Sequence, residues 1–191
     1  MTIPLCSRCP KYRRPVPPSG PTPCRLVFIG ECPSTEEDRT GEPFCGKTGL
    51  ELNNTYLPIL GLPRSEIYVM NSVMCSRKDY SNPEPIDADS CMGLHLGTIL
   101  NTVCPTVIVP MGGVACSLWP EIDLNRDHGL PLVGKWGAWR GILWPSFHPS
   151  AGLHSTSYMI PLQNDFNSLK LFIRRLDTST PGPFTRPPLT M

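Results

Sequence analysis

The sequence carries almost no surplus charge: 17 lysines and arginines stand against 16 aspartates and glutamates, a net charge of +1. Nothing global therefore draws it to nucleic acid. Any such binding has to come from local patches, because phosphate contacts supply most non-specific affinity. The basic run Lys11, Arg13, Arg14 and the pair Arg174, Arg175 are the candidates, and each reads equally well as ordinary solvated surface. Long apolar runs are missing too. None approaches the roughly 20 residues that span a bilayer, and no opening stretch has the charged, apolar and small-residue order of a signal peptide. A soluble cytoplasmic or nucleoid-associated monomer with no membrane contact is expected. Internal repeats are also absent. What remains, at 191 residues, is one domain with a core of its own and a tail.

Proline and cysteine are plentiful. Of the 24 prolines, many cluster at the two ends. Pro15 to Pro23, with Ser19 and Gly20, reads as an extended connector. Thr178 to Met191 has no periodicity and reads as a flexible tail, leaving residues 1–177 as the domain. Nine cysteines without a secretory leader point to metal or catalysis rather than disulfides. Cys6-Ser7-Arg8-Cys9 is a CxxC, a spacing at which one turn offers two thiolates to one metal. Its best partners are Cys75, just after a strand, and Cys91, at the start of a helix. Cys24, Cys32, Cys45, Cys104 and Cys116 lie in apolar segments or on the loop described next, where a thiol acts as a small hydrophobe. By spacing alone, zinc and an iron–sulfur cluster both remain open. A lone CxxC with distant partners fits a two-knuckle zinc ribbon poorly, which tilts the choice toward a cluster.

The richest loop follows the apolar run Leu26–Ile29. It reads Gly30-Glu31-Cys32-Pro33-Ser34, then Glu36, Glu37 and Asp38, then Phe44 between two glycines. A buried strand ending this way delivers polar groups to the carboxyl edge of a sheet, where open α/β sheets bind ligands. Carboxylates and a flat ring on one loop suit a planar substrate such as a base. The plain alternative is that the acids merely favour a helix N-terminus and that Phe44 is core. Further strands are expected at Ile67–Met70, Thr106–Val109 and Trp139–Trp144. Helices are expected over Gly49–Leu60, from Asp87 or Asp89 to about Thr102, near Val114–Leu118, and over Ile160–Leu176, with Pro58 ending or bending the first of them. Strands alternating with helices predict a three-layer α/β/α sandwich around a central four-stranded, mainly parallel sheet. Its edge would gather Glu31, Asn71 and His148.

These motifs resemble those of the uracil-DNA glycosylase superfamily, and most of all its iron–sulfur branch, family 4. The stretch Gly30–Gly49 resembles that family's GE(A/G)PG…ED…G-x-PF-x-G-x-x-G. Tyr68-Val69-Met70-Asn71 with Cys75 four residues on is a second match, His148-Pro149-Ser150 a third, and the order Cys6, Cys9, Cys75, Cys91 a fourth. The resemblance implies a monofunctional hydrolase that releases uracil from DNA and leaves an abasic site.

Residue roles are implied with it. His148 would donate to uracil O2, and Glu31 would position water or stabilise the sugar cation. Asn71 would read the base, Phe44 would stack on it, and Glu37 would be the second acid of the loop. Gly30 and Cys32 would let backbone lie against the base, and Leu153 would wedge into the gap left by a flipped nucleotide. The four matching cysteines would hold a [4Fe–4S] cluster away from the base pocket. Two positions depart from the pattern: Cys32 stands where Ala or Gly is usual, and Ser34 replaces a Gly. A base-binding relative without turnover, or one accepting hypoxanthine or xanthine, is the alternative. A zinc-stapled interaction domain is a further one. No lysine lies in the matched motifs, so no Schiff-base lyase step is expected, and Ser76–Tyr80 lacks the histidine-containing loop of the covalent-trapping branch.

Overall fold

The computed structural model describes residues 12–179, so Cys6, Cys9, Lys11 and most of the expected tail lie outside the described residues. Its centre is β2 (Leu26–Gly30), every residue of which is buried. Successive side chains of a strand point to opposite faces, and here both faces are apolar because both are covered. Val27 and Ile29 join one core cluster and Leu26 and Phe28 the other. β3 (Tyr68–Asn71) pairs parallel to β2 on one side and β5 (Val107–Pro110) pairs parallel to it on the other. β7 (Trp139–Leu143) follows parallel to β5, and β6 (Leu132–Trp136) closes the sheet antiparallel to β7.

The sheet therefore has five strands in the order β3-β2-β5-β7-β6, one more than the four expected. The fold is α/β with a mostly parallel sheet, as predicted. β6 escapes a sequence reading because it is an edge strand with only Gly134 buried. Its mixed burial leaves neither an apolar run nor a clean alternation.

Helices cover both faces. On one, α4 (Pro85–Val103) lays Met92, Leu96, Ile99, Leu100 and Val103 against Val27, Ile29, Tyr68, Met70 and Ile108. It starts at Pro85 rather than at Asp87, because Glu84 is its N-cap and the Asp87 carboxylate accepts the Glu84 N–H at 2.9 Å. On the other face lie α2 (Lys47–Glu51), a π-helical turn (Leu52–Tyr56), α3 (Leu57–Leu60) and α8 (Thr156–Ser179). The π turn precedes Pro58, which bends the helix as expected of a residue with no N–H to donate. α8 is longer than the predicted Ile160–Leu176 and takes in Thr178 and Ser179.

The N-terminal strand β1 (Tyr12–Pro15) pairs antiparallel with β4 (Cys75–Arg77) outside the main sheet. The proline-rich connector that follows is docked rather than loose: Val16 N–H donates to Met74 O at 2.7 Å, and Ser19 bridges Val69. Among the described residues no helix is long and apolar enough to cross a membrane.

α8 holds its layer through Leu162, Phe166 and Leu169, spaced for one helical face. Phe166 is 1% exposed, with its ring 6.0 Å from Phe28 and 4.9 Å from Tyr56. Phe166→Ala is expected to cost about 3–5 kcal/mol, read as a lowered urea midpoint with an unchanged slope.

Candidate active site

β2 and β3 run in register so that Gly30 pairs with Asn71, and the two strand ends emerge side by side. The chain beyond Gly30 is pinned at once. Ser72 N–H donates to Gly30 O at 2.8 Å, Val73 N–H donates to Glu31 O at 2.9 Å, and the Ser72 hydroxyl donates to the same Glu31 carbonyl at 2.9 Å. The next strand ends are tied across the edge. Met111 N–H donates to Ile29 O at 2.8 Å and Gly112 N–H to Ser146 O at 2.9 Å. Ser146 lies two residues before His148, so Glu31, Asn71 and His148 all lie along this edge, with the Met111–Gly112 turn between.

α1 (Thr35–Thr40) follows β2, and its start explains the departure at Ser34. Ser34 has φ −74° and ψ 174°, an extended conformation that needs no glycine. It is the N-cap in a capping box: its hydroxyl accepts the Glu37 N–H at 3.4 Å, and Glu37 Oε2 accepts the Ser34 N–H at 2.8 Å.

The other oxygen of Glu37 does different work. Oε1 accepts the Phe44 N–H at 2.6 Å and the Asn71 Nδ2 amide at 3.5 Å. Glu37 is only 7% exposed. It is thus a buried clamp on Ser34, Phe44 and Asn71, a structural part larger than the second-acid role the sequence suggested.

Phe44 sits at φ 59°, a left-handed conformation that an aromatic residue rarely adopts. Two neighbours hold it there. One is the Glu37 carboxylate on its N–H. The other is Gly49, where any Cβ would overlap the Phe44 carbonyl. On the ring side, a Cβ on Gly30 would come within 2.7 Å of both Phe44 Cζ and Asn71 Oδ1. Gly30, Phe44, Asn71 and Glu37 therefore form one cluster. Glu31 is the next residue along, and burial alone raises its pKa above the ordinary 4.5.

His148 is the N-cap of α7 (Pro149–His154), and its Nδ1 lies 2.7 Å from the Ser150 hydroxyl. Burial depresses its pKa from 6.5 to about 4, so the ring is neutral near pH 7. Where Ser150 donates to Nδ1, the ring proton is carried on Nε2. Leu153 is 47% exposed on α7 and lines an open groove of about 520 Å³ with Lys47, Asn54, Ser150 and His154. Cys32 is half-buried, and its thiol is pushed up to about 12 by burial, then by Glu31 and Glu37, so it stays protonated.

The two arginines of the basic run are committed elsewhere. Arg14 donates to Asp38 O at 3.0 and 2.7 Å and to Arg39 O at 2.9 Å, closing the C-terminal end of α1. Arg13 lies 4.5 Å over the Tyr80 ring and 3.7 Å from Asp38. The sequence signals missed were the S-x-x-E capping box at Ser34–Glu37 and the Ser150 partner of His148.

Of the expected thiolate ligands, Cys75 opens β4, where it faces Pro15 of β1, and Cys91 lies on α4. Arg77 and Asp87 join these elements through a 2.7 Å ion pair. Cys75 is two residues from Arg77 on a strand and Cys91 four from Asp87 on a helix, so each thiol shares the face of one ion-pair partner. β1 begins at Tyr12, three residues after Cys9, and carries the chain to the same place. An all-thiol donor set of these four cysteines would suit a soft metal centre. Among the described residues alone, no group of three or more His, Cys, Asp or Glu could hold a metal.

Comparison with known proteins accords with this geometry. The family described as the uracil DNA glycosylase superfamily matches residues 17–173. A type-4 uracil-DNA glycosylase of Thermotoga maritima is 30% identical over 178 residues, covering 89% of this chain and 90% of that protein. One from Saccharolobus solfataricus is 28% identical over 174 residues, covering 86% of this chain and 80% of that protein.

Burial of Glu31 has a thermodynamic consequence. Its folded pKa lies above the unfolded one, so the carboxylate form weakens the fold at pH 7 and the penalty disappears below about pH 4.5. Glu31→Gln should raise the melting temperature at pH 7 and leave it unchanged at pH 4, as read by calorimetry at the two pH values.

Proposed function

The chain belongs to the uracil-DNA glycosylase superfamily, and on that premise we propose that it hydrolyses the N-glycosidic bond of deoxyuridine in DNA, releasing uracil and leaving an abasic site. The observation that carries this reading is the cluster of Gly30, Phe44, Asn71 and Glu37 at the sheet edge. A glycine, a ring and a carboxamide gathered there, with Glu31 the next residue along, are the groups that would take one planar base. The type-4 names of its relatives support the same substrate.

The bond breaks with negative charge growing on the base and positive charge on the sugar, so the residues must serve opposite signs. A neutral His148 with its proton on Nε2 would donate a hydrogen bond to uracil O2. Glu31 stays an anion at neutral pH and either steers a water to C1′ or stabilises the oxocarbenium ion. Asn71 donates one amide hydrogen toward Glu37, leaving the other for uracil O4 and its carbonyl oxygen for N3–H. Because Glu37 is an acceptor, it fixes which end of the amide is the nitrogen. Cytosine, with donor and acceptor reversed, is mismatched. Leu153, exposed on α7, would fill the gap left by the extruded nucleotide. With no lysine in the cluster, the reaction ends at the abasic site.

Cys6, Cys9, Cys75 and Cys91 would hold a [4Fe–4S] cluster, which supplies a structural tie and no redox step. The all-thiol set and the lone CxxC favour it over zinc.

The test is excision from an end-labelled oligonucleotide bearing one uracil, with cytosine, thymine and hypoxanthine controls, read as strand breaks after alkali. Breaks at uracil are expected. No breaks from protein carrying its full iron would overturn the enzyme reading in favour of a base-binding relative. In the same assay, kcat should fall on the acid side through a group with a pKa above 4.5, that of Glu31, and show no inflection near 6.5, because His148 titrates near 4. His148→Gln should lower kcat about 10²–10³-fold, the usual cost of one anion-stabilising donor. Glu37→Gln frees the Asn71 amide to turn, and the uracil-over-cytosine preference should drop by about tenfold or more.

A further inference from the structure

Beside the His148 loop lies a polar group that this mechanism leaves unused. Asp165 of α8 is 3% exposed. A carboxylate in an apolar layer is costly unless fully bonded, and a leucine would pack α8 without that cost. Here both oxygens are engaged. Oδ1 lies 2.8 Å from His128 Nδ1, and Oδ2 accepts the Ser146 hydroxyl at 3.2 Å. Gly129 is drawn close as well: a Cβ there would come within 2.5 Å of Asp165 Oδ1, and its N–H donates to Pro145 O at 2.9 Å.

Both arms of Asp165 lead to the same place. Ser146 and Phe147 are the two residues before His148. Ser146 is 1% exposed, and its backbone is bonded to Pro110 and Gly112. The His128 ring lies 4.5 Å from the Phe147 ring, which in turn meets Tyr158 edge-on at 5.0 Å. The carboxylate thus grips Ser146 directly and Phe147 through the tilted imidazole packed against it. A fully satisfied buried polar network fixes one geometry where apolar packing would admit several.

We infer that Asp165, acting through His128 and Ser146, is a positioning group that sets the place of His148. None of the three belongs to the cluster of Gly30, Phe44, Asn71 and Glu37, so their effect is on the rate of the step and not on DNA affinity. This rests on the glycosylase reading for its kinetic form, while its structural form can be measured without it.

The first variant is Asp165→Leu, which replaces the carboxylate by apolar volume and leaves Ser146 and His128 without their shared acceptor. Its melting temperature should fall, because the buried Ser146 hydroxyl loses its acceptor. Assayed well below that transition, its kcat on uracil-containing DNA should fall about tenfold or more, since small misplacements at a site cost that much, and KM should stay within about twofold. Asp165→Asn keeps an acceptor for Ser146 and offers an N–H to His128, so it should retain kcat within about threefold. An unaltered kcat for Asp165→Leu would overturn the inference, as would a kcat loss matched by an equal rise in KM.

Should Asp165→Leu fail to fold, Ser146→Ala and His128→Phe each remove one arm. Each should lower kcat several-fold, and wild-type rates in both would overturn the inference. A second readout needs no turnover: in protein labelled with ¹⁵N-histidine, the ring resonances of His148 should shift in Asp165→Leu and Ser146→Ala but not in Asp165→Asn. Unmoved His148 resonances overturn the positioning role. An inactive parent protein with shifted resonances overturns only the glycosylase reading.

Discussion

One carboxylate holds the first motif in shape. Glu37 accepts from the backbone of Ser34, from the backbone of Phe44 and from the side chain of Asn71 while almost wholly buried. Buried charge is tolerable when every lone-pair direction is answered by a donor, and this one is answered from three separate segments. The strand-to-helix turn, the aromatic wall and the base-reading amide are therefore a single unit. Moving any of them leaves a buried anion short of a partner, which is why the rare φ of Phe44 persists.

Around that unit the protein separates charge by desolvation. Burial keeps His148 neutral and raises the pKa of Glu31, each pushed toward its uncharged form by the same cause. The consequences differ because the starting points differ. A histidine so shifted is uncharged at physiological pH, ready to donate to a growing anion. A glutamate so shifted remains an anion there, poorly solvated and ready to answer a growing cation. Glu31 follows β2 directly and His148 lies five residues beyond β7, with β5 between those strands, so the sheet and the loop before α7 together set their spacing.

Much of this could be read from the chain. β2, β3 and β5 announce themselves because both of their faces are buried, which leaves continuous apolar runs. Glu31 follows β2 directly and Asn71 ends β3, so their meeting at one edge follows from topology, whereas His148 lies five residues beyond β7. What could not be read was of two kinds. β6 is an edge strand whose mixed burial erases its pattern. The other kind depends on contacts between segments far apart in the chain: Gly49 against the Phe44 carbonyl, Arg14 on the carbonyls of α1, Asp165 bonded to Ser146. No local spacing encodes these. The acidic run was legible as polar, but only the fold distinguishes Glu37, turned inward, from Glu36, paired with Arg39 at the surface.

The pairing of β1 with β4 bears on the order in which the chain can mature during synthesis. β1 leaves the ribosome early, yet its partner Cys75 comes 60 residues after Pro15. Until then Arg14 has nothing to brace it, and α1, six residues long and too short to persist by itself, lacks the guanidinium that closes its end. The motif loop is thus translated early but completed late, after β3 and β4 have both emerged. A nascent chain stalled before that point would carry every residue of the first motif without its shape.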